Sequence, residues 1–243
     1  MSKKRQKPSV SAAPDNTIPF ERTSSRSGPI IIPKNRVQEE YLSLLADPDK
    51  KVVFAAGVAG SGKTLLAMVA GIQGLRNGTF KRLILTRPAI GVDGESHGYL
   101  PGDLTSKMMP WTQPLIDVLR ESYDMPQIEQ MIQEQTIELA ALAFLRGRSF
   151  KNCFIVLDEA QNTSVNQMKM LLTRLGEGCK VVVTGDLEQL DKPFVKDNGF
   201  RDFIDRIPER DNMIAKVEFD QRHVVRSAIC ARILELYDAP IVK

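Results

Sequence analysis

The stretch Gly57-Val58-Ala59-Gly60-Ser61-Gly62-Lys63-Thr64 sets three glycines, a lysine and a hydroxyl at the spacing G-x-x-x-x-G-K-[ST]. Each residue type has a chemical use there. Glycines let the backbone curl until its N–H groups converge on one point, where they can donate to phosphate oxygens. Lys63 brings a cation to the β- and γ-phosphates of a nucleotide, and Thr64 offers a hard oxygen ligand of the kind Mg²⁺ takes. The whole run is a candidate phosphate cradle, with Lys63 also placed to act on the reacting phosphate.

A second constellation is Asp158-Glu159-Ala160-Gln161-Asn162, which follows the apolar run Cys153-Phe154-Ile155-Val156-Leu157. Apolar residues leading into an acid form the Walker B pattern. Asp158 would hold Mg²⁺ through its water shell, and Glu159 would act as general base on an attacking water. A third is Thr184-Gly185-Asp186, with Gln189 and Asp191 just beyond, and Gln189 is a candidate γ-phosphate sensor. Upstream, the amide of Gln38 offers both a donor and an acceptor and could read an adenine edge; the alternative is an exposed helical glutamine. Arg146 and Arg148 flank Gly147, where they could meet phosphate or lie on the surface. The acid pair Asp158-Glu159 suggests the hydrolase branch of P-loop proteins, in which an additional strand carries a sensor. The N-K-x-D base-recognition pattern of GTPases is missing from the sequence, which weighs against a GTPase.

These side chains need strands and helices to hold them. Val52–Ala56 reads as a buried strand entering the loop, and Leu65–Ala70 as the start of the helix leaving it. Further strands are expected at Leu83–Thr86, Thr136–Leu139, Cys153–Leu157, Lys180–Val183 and Ile214–Phe219. Helical patterns begin at Asn35 and occupy 111–121, 127–135 and 224–237. Another starts near Thr163 or Ser164, carries Met168, Leu171, Leu172 and Leu175 on one face, and is expected to stop at Gly176. Residues 91–110 form a long loop rich in glycine and proline. Strands alternating with helices predict one α/β domain, a mostly parallel sheet with helices on both faces, over residues 29–243.

Composition narrows the function classes. No apolar run reaches the ~20 residues of a membrane span, and no signal peptide is visible, so no membrane association is expected. Cys153, Cys179 and Cys230 form no C-x-x-C pair; they read as reduced thiols of a cytoplasmic protein and argue against a four-cysteine zinc site. The net charge of +3 is uneven: residues 1–28 carry six Lys or Arg against two acids, in a segment rich in Ser and Pro that reads as disordered. Such a basic arm could neutralise nucleic-acid phosphates or be a solvated tail.

The motifs GVAGSGKT, LTRPA, GYLPGDL, LAFLRGR, VLDEAQN, QMKMLLTRLG, VVVTGD and VVR occur in the order found in the PhoH-like proteins, and the resemblance covers roughly residues 30–240. The sequence departs from that pattern at Val58, where proline is common, at His97 and at His223, the last putting the surroundings of Arg226 in doubt. That family resembles the ATPase core of superfamily 1 helicases. The resemblance implies a single RecA-like P-loop domain using ATP and Mg²⁺, an adenine-reading role for Gln38, and partners among RNA or single-stranded DNA. It also implies links to phosphate starvation and RNA metabolism, and a bacterial or phage source. Because one such domain leaves the γ-phosphate side open, a homo-oligomer is expected, a hexameric ring as in related ATPases, with Arg226 completing a neighbour's site; Arg87 and Arg222 are the rivals for that role, and a structural salt bridge is the other reading of Arg226. Two other function classes stand beside this one: a nucleotide-gated assembly module with slow turnover, and a small-molecule kinase, for which the zinc-binding cysteines of thymidine kinases are missing.

Overall fold

The computed structural model describes residues 32–88, 113–189, 197–220, 229 and 232–233. The basic N-terminal segment, the loop at 91–110, Asp191, Arg222, His223 and Arg226 lie outside the described residues. Of the C-terminal helix, residues 229, 232 and 233 are described, and they are helical.

Among the described residues, six parallel strands form one sheet in the order β3-β2-β4-β5-β1-β6. They are β1 (Val52–Gly57), β2 (Arg82–Arg87), β3 (Ile137–Ala141), β4 (Cys153–Leu157), β5 (Lys180–Gly185) and β6 (Ile214–Phe219). Parallel strands covered on both faces are apolar throughout rather than alternating, which is why β1, β4 and β5 read as unbroken hydrophobic runs. Successive side chains still part to opposite faces. Phe54, Ile155 and Val183 join one core, and Val53, Val156 and Val182 join the other.

The second core lies under α1 (Arg36–Ala46), α2 (Lys63–Arg76), α3 (113–120) and α4 (Met125–Gln133). The first lies under α5 (Val165–Leu172) and α6 (Gly199–Arg206). In this order β5 sits between the phosphate-loop strand β1 and the acid-bearing strand β4, so the expected additional strand is present. This is the RecA-like α/β arrangement, with all six strands ending at the same edge.

Two local expectations are corrected. Helix α5 ends at Leu172, not at Gly176. Leu175 instead forms a parallel bridge with Phe150, and a Cβ on Gly176 would lie 2.6 Å from the Phe150 carbonyl oxygen. Gly176 is thus there for a close chain crossing, not as a helix stop. Helix α6, unexpected from the sequence reading, is capped by the Asn198 side chain, which accepts from Arg201 N. Phe200 and Phe203 stack on Phe54 of β1 with ring centroids 5.8 and 5.0 Å away. Burying a ring of this size contributes about 1.5–3 kcal/mol, enough to hold so short a helix on the sheet.

Lys180 opens β5 but serves α1. Its buried ammonium donates to the carbonyls of Leu44 (3.2 Å), Leu45 (2.5 Å) and Asp47 (2.7 Å), at the negative end of the helix dipole. Lys180→Met keeps the apolar stem and leaves those carbonyls without a donor. We expect it to cost about 1–3 kcal/mol, read as a lowered urea midpoint with an unchanged m-value.

Candidate functional site

The loop between β1 and α2 closes through two glycines. Gly57 has φ +131°, and a Cβ there would fall 1.8 Å from the Phe219 carbonyl oxygen, so no other residue lets β1 pass β6 this closely. Gly62 has φ +88°, the left-handed region open mainly to glycine, and it turns the chain into the N-terminus of α2. Lys63 folds back over this turn. Its Nζ donates to the carbonyls of Gly57 (2.5 Å) and Val58 (2.7 Å) and to Ser61 Oγ (3.2 Å). Burial lowers the Lys63 pKa, while Asp186, Asp158 and Glu159 push it back up.

Asp158 stands at the end of β4 with both carboxylate oxygens engaged. Oδ1 accepts from Thr64 Oγ1 at 2.6 Å and from Thr184 Oγ1 at 2.7 Å. Oδ2 accepts from Arg87 Nε at 2.9 Å and also from Arg87 Nη2. Arg87, one of the arginines considered for a neighbour's site, is committed within its own chain.

Glu159 takes a left-handed backbone (φ 55°, ψ 38°) and caps the short 3-10 turn Ala160–Asn162. That conformation is uncommon for a residue with a side chain and persists only where the surroundings enforce it. Gln161 does so: its Nε2 donates to Glu159 Oε2 at 2.6 Å, its Oε1 accepts from Asp186 N at 3.1 Å, and its carbonyl accepts from Asn198 Nδ2 at 2.8 Å. Asp186 passes the contact on, because its Oδ2 accepts from the loop amide of Ala59 at 3.0 Å. A hydrogen-bonded chain therefore runs from the acid Glu159 to the phosphate loop. Gln161 and Thr184 are site residues that the sequence patterns do not single out, although each sits inside one of the motifs.

A cleft of about 250 Å³ gathers Ala59, Gly60, Gly62, Lys63, Thr64, Asp158, Glu159, Asp186 and the exposed Gln189. Ser61 is buried beneath the loop, and Gly57 and Val58 line a second cavity of about 670 Å³ on the β6 side. Gln38 is buried rather than exposed. Its Nε2 donates to Ser61 O at 2.9 Å and its Oε1 accepts from Lys34 N at 2.8 Å, so α1 is tied directly to the loop.

The donor set suits Mg²⁺. A hydroxyl and a carboxylate meet at 2.6 Å, and among the described residues no group of three or more His, Cys, Asp or Glu forms an all-protein cage. Mg²⁺ is characteristically held by one or two carboxylates together with substrate phosphates. No described helix is long and apolar enough to cross a membrane.

Fold and cleft together define a P-loop NTPase. The comparison with known proteins is narrower: the family profile described as PhoH-like protein matches residues 30–238, and the chain belongs to that family. It is 42% identical over 218 residues to the PhoH-like protein of Bacillus subtilis (strain 168), covering 90% of this chain and 67% of that one. It is 38% identical over 222 residues to Protein PhoH of Escherichia coli (strain K12), covering 90% and 61%. The chain thus spans about two thirds or less of the length of the relatives it matches. Among solved structures, the Pif1 helicase from Candida albicans aligns at 16% identity with a TM-score of 0.38, over 79% of this chain and 41% of that one. Domain III of the Thermotoga maritima replication initiation protein DnaA aligns at 15% identity with a TM-score of 0.34, over 85% and 70%.

Gln161 yields a graded prediction. Gln161→Ala leaves the Asp186 amide and the Glu159 carboxylate without their partner, and should cost about 1–3 kcal/mol. Gln161→Glu can still accept from Asp186 N but sets a second carboxylate against Glu159, so it should be the more destabilising of the two. Urea unfolding at neutral pH ranks them.

Proposed function

We propose that this chain is a Mg²⁺-dependent ATP hydrolase of the helicase-like type, coupled to RNA or single-stranded nucleic acid. The observation that carries this reading is the convergence on one cleft of Lys63, the 2.6 Å Thr64–Asp158 contact and the restrained carboxylate of Glu159. Backbone amides of Gly60 to Lys63 and the α2 N-terminus bind the phosphate chain, and Lys63 balances its charge. Thr64 and Asp158 hold Mg²⁺, which when bound polarises the phosphoryl oxygens and neutralises the charge that develops on them. Glu159 takes the proton of the attacking water, and Gln161 fixes the direction from which it does so. Gln189 on the open rim senses the γ-phosphate. Gln38 retains one N–H and one carbonyl lone pair beyond its two side-chain contacts, and we assign these to the adenine edge.

Coupling to nucleic acid rests on the family resemblance and on the basic segment 1–28. A cytoplasmic location fits the free, mutually contacting thiols of Cys153 and Cys179, 3.4 Å apart. Lys63→Ala should abolish ATP binding, whereas Glu159→Gln should bind ATP normally and hydrolyse it about 10²–10⁴-fold more slowly. ATPase assays with and without single-stranded RNA test the whole reading. Stimulation by RNA supports coupling. Slow turnover indifferent to RNA favours a nucleotide-gated assembly module, and phosphate transfer to a nucleoside favours a kinase.

We propose further that the chain acts as a homo-oligomeric ring, a hexamer, in which Arg226 enters the neighbour's cleft; an arginine supplied in trans contributes about 10³–10⁵ in rate. Arg226→Ala and Glu159→Gln proteins, each inactive alone, should regain partial ATPase when mixed. Absence of recovery in hybrid oligomers verified by native mass spectrometry rules out the trans role.

A further inference from the structure

Arg87 closes β2 and Asp158 follows β4, and these strands are direct neighbours, with Thr86 paired to Leu157. Two N–H groups of Arg87 fall on one carboxylate oxygen of Asp158, while Thr64 and Thr184 fill the other. A carboxylate offers about four acceptor positions. All four are taken by donors of this chain. The pair is also well shielded, with the Asp158 side chain 4% exposed and that of Arg87 19%. A carboxylate so placed requires a cationic partner.

A divalent cation, or the water shell around it, can therefore reach Asp158 only by displacing a donor. Thr64 is itself a ligand in the reading above, and Thr184 is neutral. Arg87 is the donor whose charge opposes a metal at the same oxygen. We infer that Arg87 is an internal counter-cation that holds the Asp158 carboxylate until the metal arrives and yields it on binding, a positioning residue that sets how strongly nucleotide binding depends on Mg²⁺. The inference rests on the proposed Mg²⁺–nucleotide site. It assigns Arg87 a role within its own subunit, distinct from an arginine supplied in trans.

Two consequences of opposite sign follow. Removing Arg87 takes away the positive charge that neutralises Asp158 in the cleft wall, so nucleotide without metal should bind more weakly. It also leaves Asp158 unneutralised, so metal should bind more tightly. A side chain that only braced the fold would move neither in this way.

The test is the affinity of the full chain for a fluorescent ADP analogue, measured in EDTA and in saturating Mg²⁺. The readout is the ratio of the two dissociation constants. Arg87→Gln should raise this metal dependence about tenfold over the parent, within the usual range of coupling between sites. Arg87→Lys keeps the charge but cannot set two N–H groups on one oxygen, so its ratio should rise less. A ratio at or below the parent value in folded Arg87→Gln overturns the inference. If Arg87→Gln does not fold, Arg87→Lys decides alone: a ratio above the parent supports the inference, and one equal or lower overturns it. Failure of the parent protein to bind the analogue at all would instead overturn the nucleotide-site reading itself.

Discussion

A carboxylate buried at the end of a central strand must be met by donors from whatever surrounds it, and in this protein that demand organises the site. Asp158 draws on the first turn of α2 through Thr64, on β5 through Thr184 and on β2 through Arg87. Those donors reach it because the sheet places β4 between β2 and β5. The strand order is therefore a condition of the chemistry. With β4 anywhere else, one or more of the donors would be missing, and a buried charge left without its partner typically costs 3–5 kcal/mol.

A second chain of contacts is built on the first. Glu159 follows Asp158 directly, and its left-handed backbone turns it away from the strand. Gln161 then ties it to Asp186, and Asp186 ties to the loop amide of Ala59. The phosphate loop, the acid pair and the end of β5 are thus mechanically one unit. Three hydrogen bonds link Ala59 of the loop to Glu159. Helix α6 belongs to the same unit, since Asn198 holds the Gln161 carbonyl while Phe200 and Phe203 grip β1.

Much of this is legible in the sequence. The phosphate loop and the acid pair are local patterns whose geometry follows from neighbouring residues, and the continuous apolar strands announce a sheet covered on both faces. What escaped was non-local or locally ambiguous. The Arg87–Asp158 pair joins residues 71 apart, and nothing in the spacing says that β2 lies beside β4. Gln38 reaches Ser61 across 23 residues for the same reason. Helix α6 does carry apolar residues at 200, 203, 204 and 207, a helical spacing, but it opens with Asn198-Gly199, a pair that reads as a turn. Gly176 misled in the opposite way: a glycine after a helical stripe signals a stop, whereas this one is demanded by the chain crossing at Phe150.

The central claim is that the amides of Gly60 to Lys63 bind nucleotide phosphates and that Asp158 to Asn162 and Gly185 to Gln189 respond as part of the same unit. Hydrogen–deuterium exchange of the full chain with and without ATP and Mg²⁺ tests this most directly, because it reads the backbone amides themselves. The account predicts added protection centred on 57–64, with linked protection at 158–162 and 185–189. No change in these segments at saturating ATP, or protection confined to other parts of the chain, would contradict it.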